Sequence, residues 1–159
     1  MALSRPALCP PCALPQDATA QEAARWMKRR ATCAVVVVER GLPVGLVTDR
    51  DLVTKVLAKG RAPGSVRLLE LCGSPIVTMA VDEPPAVAAR LMREHGTRWL
   101  VVVGPDGRPV GVLTVEDLFA RFARQLGHLS LAVDRLREPG VSERAEPLPP
   151  REAEDVGAG

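Results

Sequence analysis

Apolar positions along the chain follow two kinds of spacing in turn, and the whole sequence of spacings occurs twice. Over residues 17–30, Ala20, Ala23, Ala24 and Met27 recur at helical intervals. This predicts a helix with one buried face and Asp17 as its N-cap. Residues 34–38 form a continuous apolar run dominated by valine, which predicts a strand covered on both faces. A turn at 39–43 leads to a partner strand at 44–48. Leu52, Val53, Val56 and Leu57 then return to helical spacing and are expected to point inward, with Gly60 ending that helix. A linker at 61–67 and a short helical turn at 68–71 follow. The order then restarts with a short strand at 75–79, a helix at 82–95, a strand at 99–103, a turn at 104–108, a strand at 110–113 and a helix from Thr114. In this last helix Leu118, Phe122, Leu126, Leu129, Val133 and Leu136 continue an apolar stripe at three- and four-residue steps, weakened in the middle by Gly127.

The residues themselves repeat along with the pattern. The segment from Asp17 to Met27 is echoed from Asp82 to Met92 at an offset of 65 residues, and Val35–Val38 is echoed by Leu100–Val103 at the same offset. The string Pro43-Val44-Gly45-Leu46-Val47-Thr48 is echoed by Pro109-Val110-Gly111-Val112-Leu113-Thr114, now offset by 66. One extra residue has entered the second turn. Two copies of one supersecondary unit are implied. Each reads as strand, helix, two hairpin strands and helix, so the fold class is α+β, built from two βαββα repeats related by an approximate twofold. A unit of about 60 residues buries too little surface to be comfortable alone, and packing the two sheets together relieves both. The expected segments are an arm and entering strand at 1–16, repeat one with its linker at 17–67, repeat two with its extended helix at 68–137, and a disordered Pro-, Glu- and Gly-rich tail at 138–159.

Composition narrows the function. Hydrophobic residues make up 47% of the 159 and charged residues 25%, which suits a soluble globular protein. Aromatics are only 3% with no Tyr, so the core has to come from Val, Leu, Ala and Met. A net charge of +2, with no basic run interleaved with aromatics, argues against nucleic acid. The longest apolar run, residues 33–38, is far short of a membrane span, and the first residues lack the apolar stretch of a signal peptide. A cytoplasmic protein with reduced cysteines is therefore expected.

The local string that bears chemistry is Gly45-Leu-Val-Thr48-Asp-Arg-Asp51, repeated as Gly111-Val-Leu-Thr114-Val-Glu-Asp117. A strand ends at a hydroxyl residue, a helix opens, and a carboxylate follows three residues later. Two readings fit. Thr-x-x-Asp is close to a helix capping box. Such a carboxylate can also accept two hydrogen bonds from a vicinal diol, as acidic residues do with ribose in dinucleotide folds. The motif occurs twice, at one position of a five-element unit. Together with Ala23, Ala24 and Met27, the valine strand and Pro43-Val44-Gly45, it resembles the cystathionine-β-synthase (CBS) domain family. The tandem arrangement resembles its Bateman module. The resemblance covers roughly residues 4–129.

That resemblance implies regulation rather than catalysis. CBS pairs commonly bind AMP, ADP, ATP or S-adenosylmethionine in the clefts between repeats. It implies that Asp51 and Asp117 hold ribose hydroxyls, and that Thr48 and Thr114 face ribose or phosphate. A basic residue before the valine strand would meet phosphate from the opposite repeat, a position held by Arg98 in copy two and Cys33 in copy one. Adenine would lie against the opposite entering strand, near Ile76 and Val77 for the Asp51 cleft. The Asp117 cleft would instead meet Pro10, Pro11, Cys12 and Cys33. Prolines lack the amide donor that reads an adenine edge, and Cys33 brings no cation, so the Asp51 cleft is expected to be the better site. The resemblance also implies a homodimer acting on a protein target, and the long apolar stripe of the last helix suits an interface. A ligand-free dimerisation or scaffold module is the alternative.

Other signals carry less. Cys9-Pro-Pro-Cys12 has C-x-x-C spacing, but Cys33 and Cys72 stand singly and do not complete a zinc set. A loop and strand start, a redox pair and a metal site remain open for it. His95 ends a helix, where positive charge suits the dipole, with a phosphate contact as the second reading. No Ser-His-Asp set, glycine-rich phosphate loop or paired catalytic carboxylates can be assembled, so the chain is read as not an enzyme.

Overall fold

The computed structural model describes residues 13–73 and 75–137. The Cys9–Cys12 spacing, Pro10, Pro11 and the expected tail at 138–159 lie outside the described residues. Contacts divide the chain into two compact units, one ending at Arg121 and one starting at Phe122.

The first unit holds both repeats as far as Arg121, partway along the last helix. Repeat one comprises β1 (Ala13–Pro15), α1 (Ala20–Arg30), β2 (Ala34–Glu39), β3 (Leu42–Thr48) and α2 (Asp49–Asp51), which continues as a π-helical segment at Leu52–Leu57. A short helix α3 (Leu68–Leu71) precedes repeat two: β4 (Thr78–Ala80), α4 (Pro85–His95), β5 (Trp99–Val103), β6 (Pro109–Thr114) and α5 (Val115–Arg137). Each repeat has its own three-stranded sheet, ordered β1-β2-β3 and β4-β5-β6. The entering strand pairs in parallel with the valine strand, and the hairpin partner pairs antiparallel.

The valine strands are central in their sheets and buried on both faces, as their composition predicts. Val35 and Val37 pack on the helix side with Ala23, Met27 and Leu71, while Val36 points the other way. In β5, Leu100 and Val102 pack beneath α4, and Val101 faces outward from that layer. Val36, Val101 and Val112 form one cluster with Leu46, Ile76 and Trp99, so the two sheets meet through it. Each fully buried aliphatic side chain contributes roughly 1.5–3 kcal/mol. Among the described residues, all the buried hydrophobic ones are Val, Leu, Ala or Met.

The hairpins bulge at matching places, between Val37 and Val38 and between Val102 and Val103. The first turn is tight and places Arg40 and Gly41 at φ 50° and 83°. Both central residues of that turn type need positive φ, which suits the twist of the flanking strands. The second turn has the extra residue, closed by Gly104 N–H to the Arg108 carbonyl at 2.9 Å.

Element boundaries differ from the sequence reading, most clearly in two helices and one strand. The N-cap of α1 is Thr19, not Asp17, because Thr19 forms a reciprocal capping box. Its hydroxyl accepts from Glu22 N–H at 3.2 Å, and the Glu22 carboxylate accepts from Thr19 N–H at 2.7 Å. The helix expected at 82–95 starts at Pro85, where proline's fixed φ suits the first helical position. The strand expected at 75–79 runs from Thr78 to Ala80. Two burial expectations also change. Ala24 is exposed. In the second helix only Val56 is fully buried, with Leu52 half-buried and Val53 and Leu57 exposed. The wider π turn shifts side-chain spacing away from the 3.6-residue period on which the expectation rests.

In the second unit α5 continues through Phe122, Leu126, Leu129, Leu131 and Val133, all exposed. No helix among the described residues is long and apolar enough to cross a membrane.

Candidate functional site

The strand-to-helix junctions at Thr48 and Thr114 are near copies. In the first, Asp51 Oδ2 accepts from Thr48 N–H at 2.9 Å and from the Thr48 hydroxyl at 2.7 Å. In the second, Asp117 Oδ2 accepts from Thr114 N–H at 2.9 Å and from its hydroxyl at 2.7 Å. The backbone that aims these strands is matched too: Asp49 N–H donates to the Cys33 carbonyl at 2.9 Å, and Val115 N–H to the Arg98 carbonyl at 3.1 Å. Cys33 and Arg98 are therefore true counterparts in the two repeats. Both carboxylates satisfy helix-start amides, so the capping reading holds at both.

The surroundings of the two carboxylates differ. Asp51 Oδ1 is paired with Lys55 Nζ at 2.8 Å, one helical turn along. Lys55 Nζ also donates to the Leu71 carbonyl at 2.6 Å. Burial pushes the Asp51 carboxyl up, but hydrogen bonds from Lys55 and Thr48 outweigh it and hold the group below the usual aspartate value. Asp51 is thus ionised at neutral pH. The counterpart of Lys55 is Arg121, whose Nε is buried with no hydrogen-bond partner among the described residues.

Asp51 and Lys55 line a cavity of about 670 Å³. Leu46 and Val101 contribute from the two facing sheets, and Gly73 with Pro75, Ile76, Val77 and Thr78 form a wall. His95, Gly96, Thr97 and Trp99 close another side. Its size falls in the range of small-molecule sites, and mixed apolar walls with few polar groups are typical of them.

Of the residues singled out in the sequence, Asp51, Ile76 and Val77 come together at this cavity, and Thr48 holds Asp51 in place. Arg98 is elsewhere. Its exposed guanidinium pairs with Glu116, and it does not line the cavity. His95 does line it, at the C-terminal end of α4. Thr114 and Asp117 make their own capping box, and the Pro10–Cys12 wall expected opposite them lies outside the described residues. Cys33 is exposed. No cluster of metal-ligating side chains occurs among the described residues. Lys55 was missed in the sequence reading, although its spacing of four from Asp51 is the spacing of helical ion pairs.

Gly45 lets the wall of repeat one form. A Cβ there would lie 2.2 Å from Cys72 Sγ, so only glycine admits the segment that follows α3. Cys72 is half-buried, and burial pushes its thiol up against the opposing influence of Lys55. It stays a thiol at neutral pH.

Paired sheets of this topology, with a threonine-braced carboxylate at each strand-to-helix junction, define a tandem α+β module with a cavity beside Asp51. A family model for the CBS domain matches residues 7–58 and 69–124, and the chain belongs to that family as a tandem pair. The "Uncharacterized protein MK0525" of Methanopyrus kandleri is 35% identical over 101 residues, which is 63% of this chain and 52% of that protein. The chain thus spans about half of that relative's length. Among solved structures, the CBS domain protein PAE2072 from Pyrobaculum aerophilum, complexed with AMP, is 29% identical with a TM-score of 0.64. That match covers 74% of this chain and 89% of the other. The cytosolic domain of the Mg²⁺ channel MgtE in complex with ATP is 28% identical with a TM-score of 0.58, over 69% of this chain and 44% of that one.

Proposed function

We propose that this chain is a regulatory module that binds an adenosine ligand in the cavity beside Asp51 and changes the activity of a protein partner. It is not an enzyme in this reading. The observation that carries it is the meeting of an ionised, hydroxyl-braced carboxylate with the Ile76–Val77 segment of the other repeat at one cavity. Asp51 takes the ribose diol, Thr48 fixes the carboxylate, and Ile76 and Val77 flank the base. Arg98 reaches phosphate only by leaving Glu116. The junction at Thr114 and Asp117 is the second, weaker site, since Cys33 stands where Arg98 does in the other repeat. AMP bound to PAE2072 and ATP bound to the MgtE domain support an adenosine ligand, and AMP, ADP, ATP and S-adenosylmethionine are the candidates.

Thermal unfolding with each of the four tests this. A ligand at 100 times its Kd is expected to stabilise the protein by about 2.7 kcal/mol. For a chain of this size that raises Tm by roughly 5–10 °C. No shift with any of the four sinks the reading.

The exposed apolar residues of α5 favour a second, compatible role as a homodimerisation module in the cytoplasm. Light scattering is expected to give twice the chain mass, and a monomer at micromolar concentration removes this part.

A further inference from the structure

We infer that Lys55 is the residue by which the Asp51 cavity tells a phosphorylated nucleoside from an uncharged one. This rests on the nucleotide reading above and adds a specificity residue to it. Two independent observations lead to Lys55. Its ammonium sits at the cavity, bonded to Asp51 Oδ1 and the Leu71 carbonyl. It is also carried by the π-helical segment Leu52–Leu57, whereas the matching stretch of α5 is ordinary α-helix. Short π segments are rare and occur frequently at functional sites.

Hydrogen-bond counting shows what Lys55 does there. A carboxylate offers about four acceptor positions and an ammonium three donors. Asp51 Oδ2 already accepts twice from Thr48, so the open positions are on Oδ1, which Lys55 shares. Two of the Lys55 donors are in use and one remains. One position on Oδ1 stays open, so a diol that donates both its hydroxyls to Asp51 competes with Lys55 for the other. A phosphate on the same ligand offers the ammonium a new acceptor and draws it off Asp51, which frees the oxygen for the diol. An uncharged nucleoside gives no such exchange and leaves the ion pair in its way. The neighbourhood suits the movement. Gly73 has no side chain beneath the ammonium, where a Cβ would lie 2.9 Å from Nζ. The alternative cation, Arg98, is held by Glu116 away from the cavity. His95 is the other titratable group on the lining.

Calorimetric titration of the full chain with AMP and with adenosine, at one ionic strength, tests this. The wild type is expected to bind AMP about 10-fold or more tightly than adenosine, the scale of one charge-assisted hydrogen bond. In Lys55→Met, which keeps the aliphatic stem, the ratio is expected to collapse toward unity, with adenosine bound more tightly than by the wild type. Lys55→Gln, which keeps hydrogen bonding but not charge, is expected to behave likewise, with melting curves confirming that both variants fold. A ratio that survives in both variants, or equal binding of both ligands by the wild type, overturns the inference alone. A wild type that binds neither overturns the nucleotide reading, and this inference falls with it.

Discussion

Gly45→Ala is expected to destabilise the protein by about 2–3 kcal/mol, the upper range for forcing extra volume into a packed site. In a chain of this length that lowers Tm by roughly 4–12 °C. The cause is specific. The added Cβ would lie 2.2 Å from Cys72 Sγ and 2.9 Å from its Cβ. Gly45 is buried in the middle of β3, opposite Val37, so the strand cannot move aside without disturbing the central valine strand. The strain instead pushes Cys72, and with it the Leu71 carbonyl that Lys55 holds. Ligand affinity is therefore expected to fall along with stability. Removing the clash from the other side, in Gly45→Ala/Cys72→Gly, is expected to recover part of the lost Tm. A single variant that melts with the wild type would show that the close approach is not a constraint.

Asp51→Ala is expected to abolish the Tm rise produced by AMP and to weaken binding by about 100-fold or more, the scale of losing hydrogen bonds to a charged group. It also removes the capping box of α2 and leaves Lys55 without its carboxylate, so a stability loss of about 1 kcal/mol is expected as well. The control is Asp117→Ala. Its capping geometry matches that of Asp51, so it should lose similar stability while keeping AMP binding. The comparison separates a lost cap from a lost ligand contact. Binding kept in Asp51→Ala and lost in Asp117→Ala reverses the proposed order of the two clefts.

The repeat itself made much of the fold legible. A run of valines between two turn signals admits little besides a buried strand, and the bounds of β5 fell where the pattern put them. The α+β class followed from the doubled order of elements. What stayed hidden depended on choices between neighbours or on distant partners. Asp17 and Thr19 are both good caps, and Glu22, three residues after Thr19, decides between them. The π segment inward of Asp51 leaves no mark in an apolar pattern, so Val53 and Leu57 were turned the wrong way. At the cavity, Asp51, Ile76 and Val77 could be grouped because the family resemblance relates them. The engagement of Arg98 by Glu116, 18 residues on, and the seating of Cys72 against Gly45 exist only once the sheets are folded.

The two capping boxes, equal to a tenth of an ångström in the bonds that each carboxylate accepts from its threonine, have a consequence for how such duplicated chains change over generations. Selection for folding alone preserves Thr-x-x-Asp in both halves, whether or not either half ever meets a small molecule. The motif can outlive its cargo. What is free to drift is the residue one turn further on, lysine here and arginine in the sister copy.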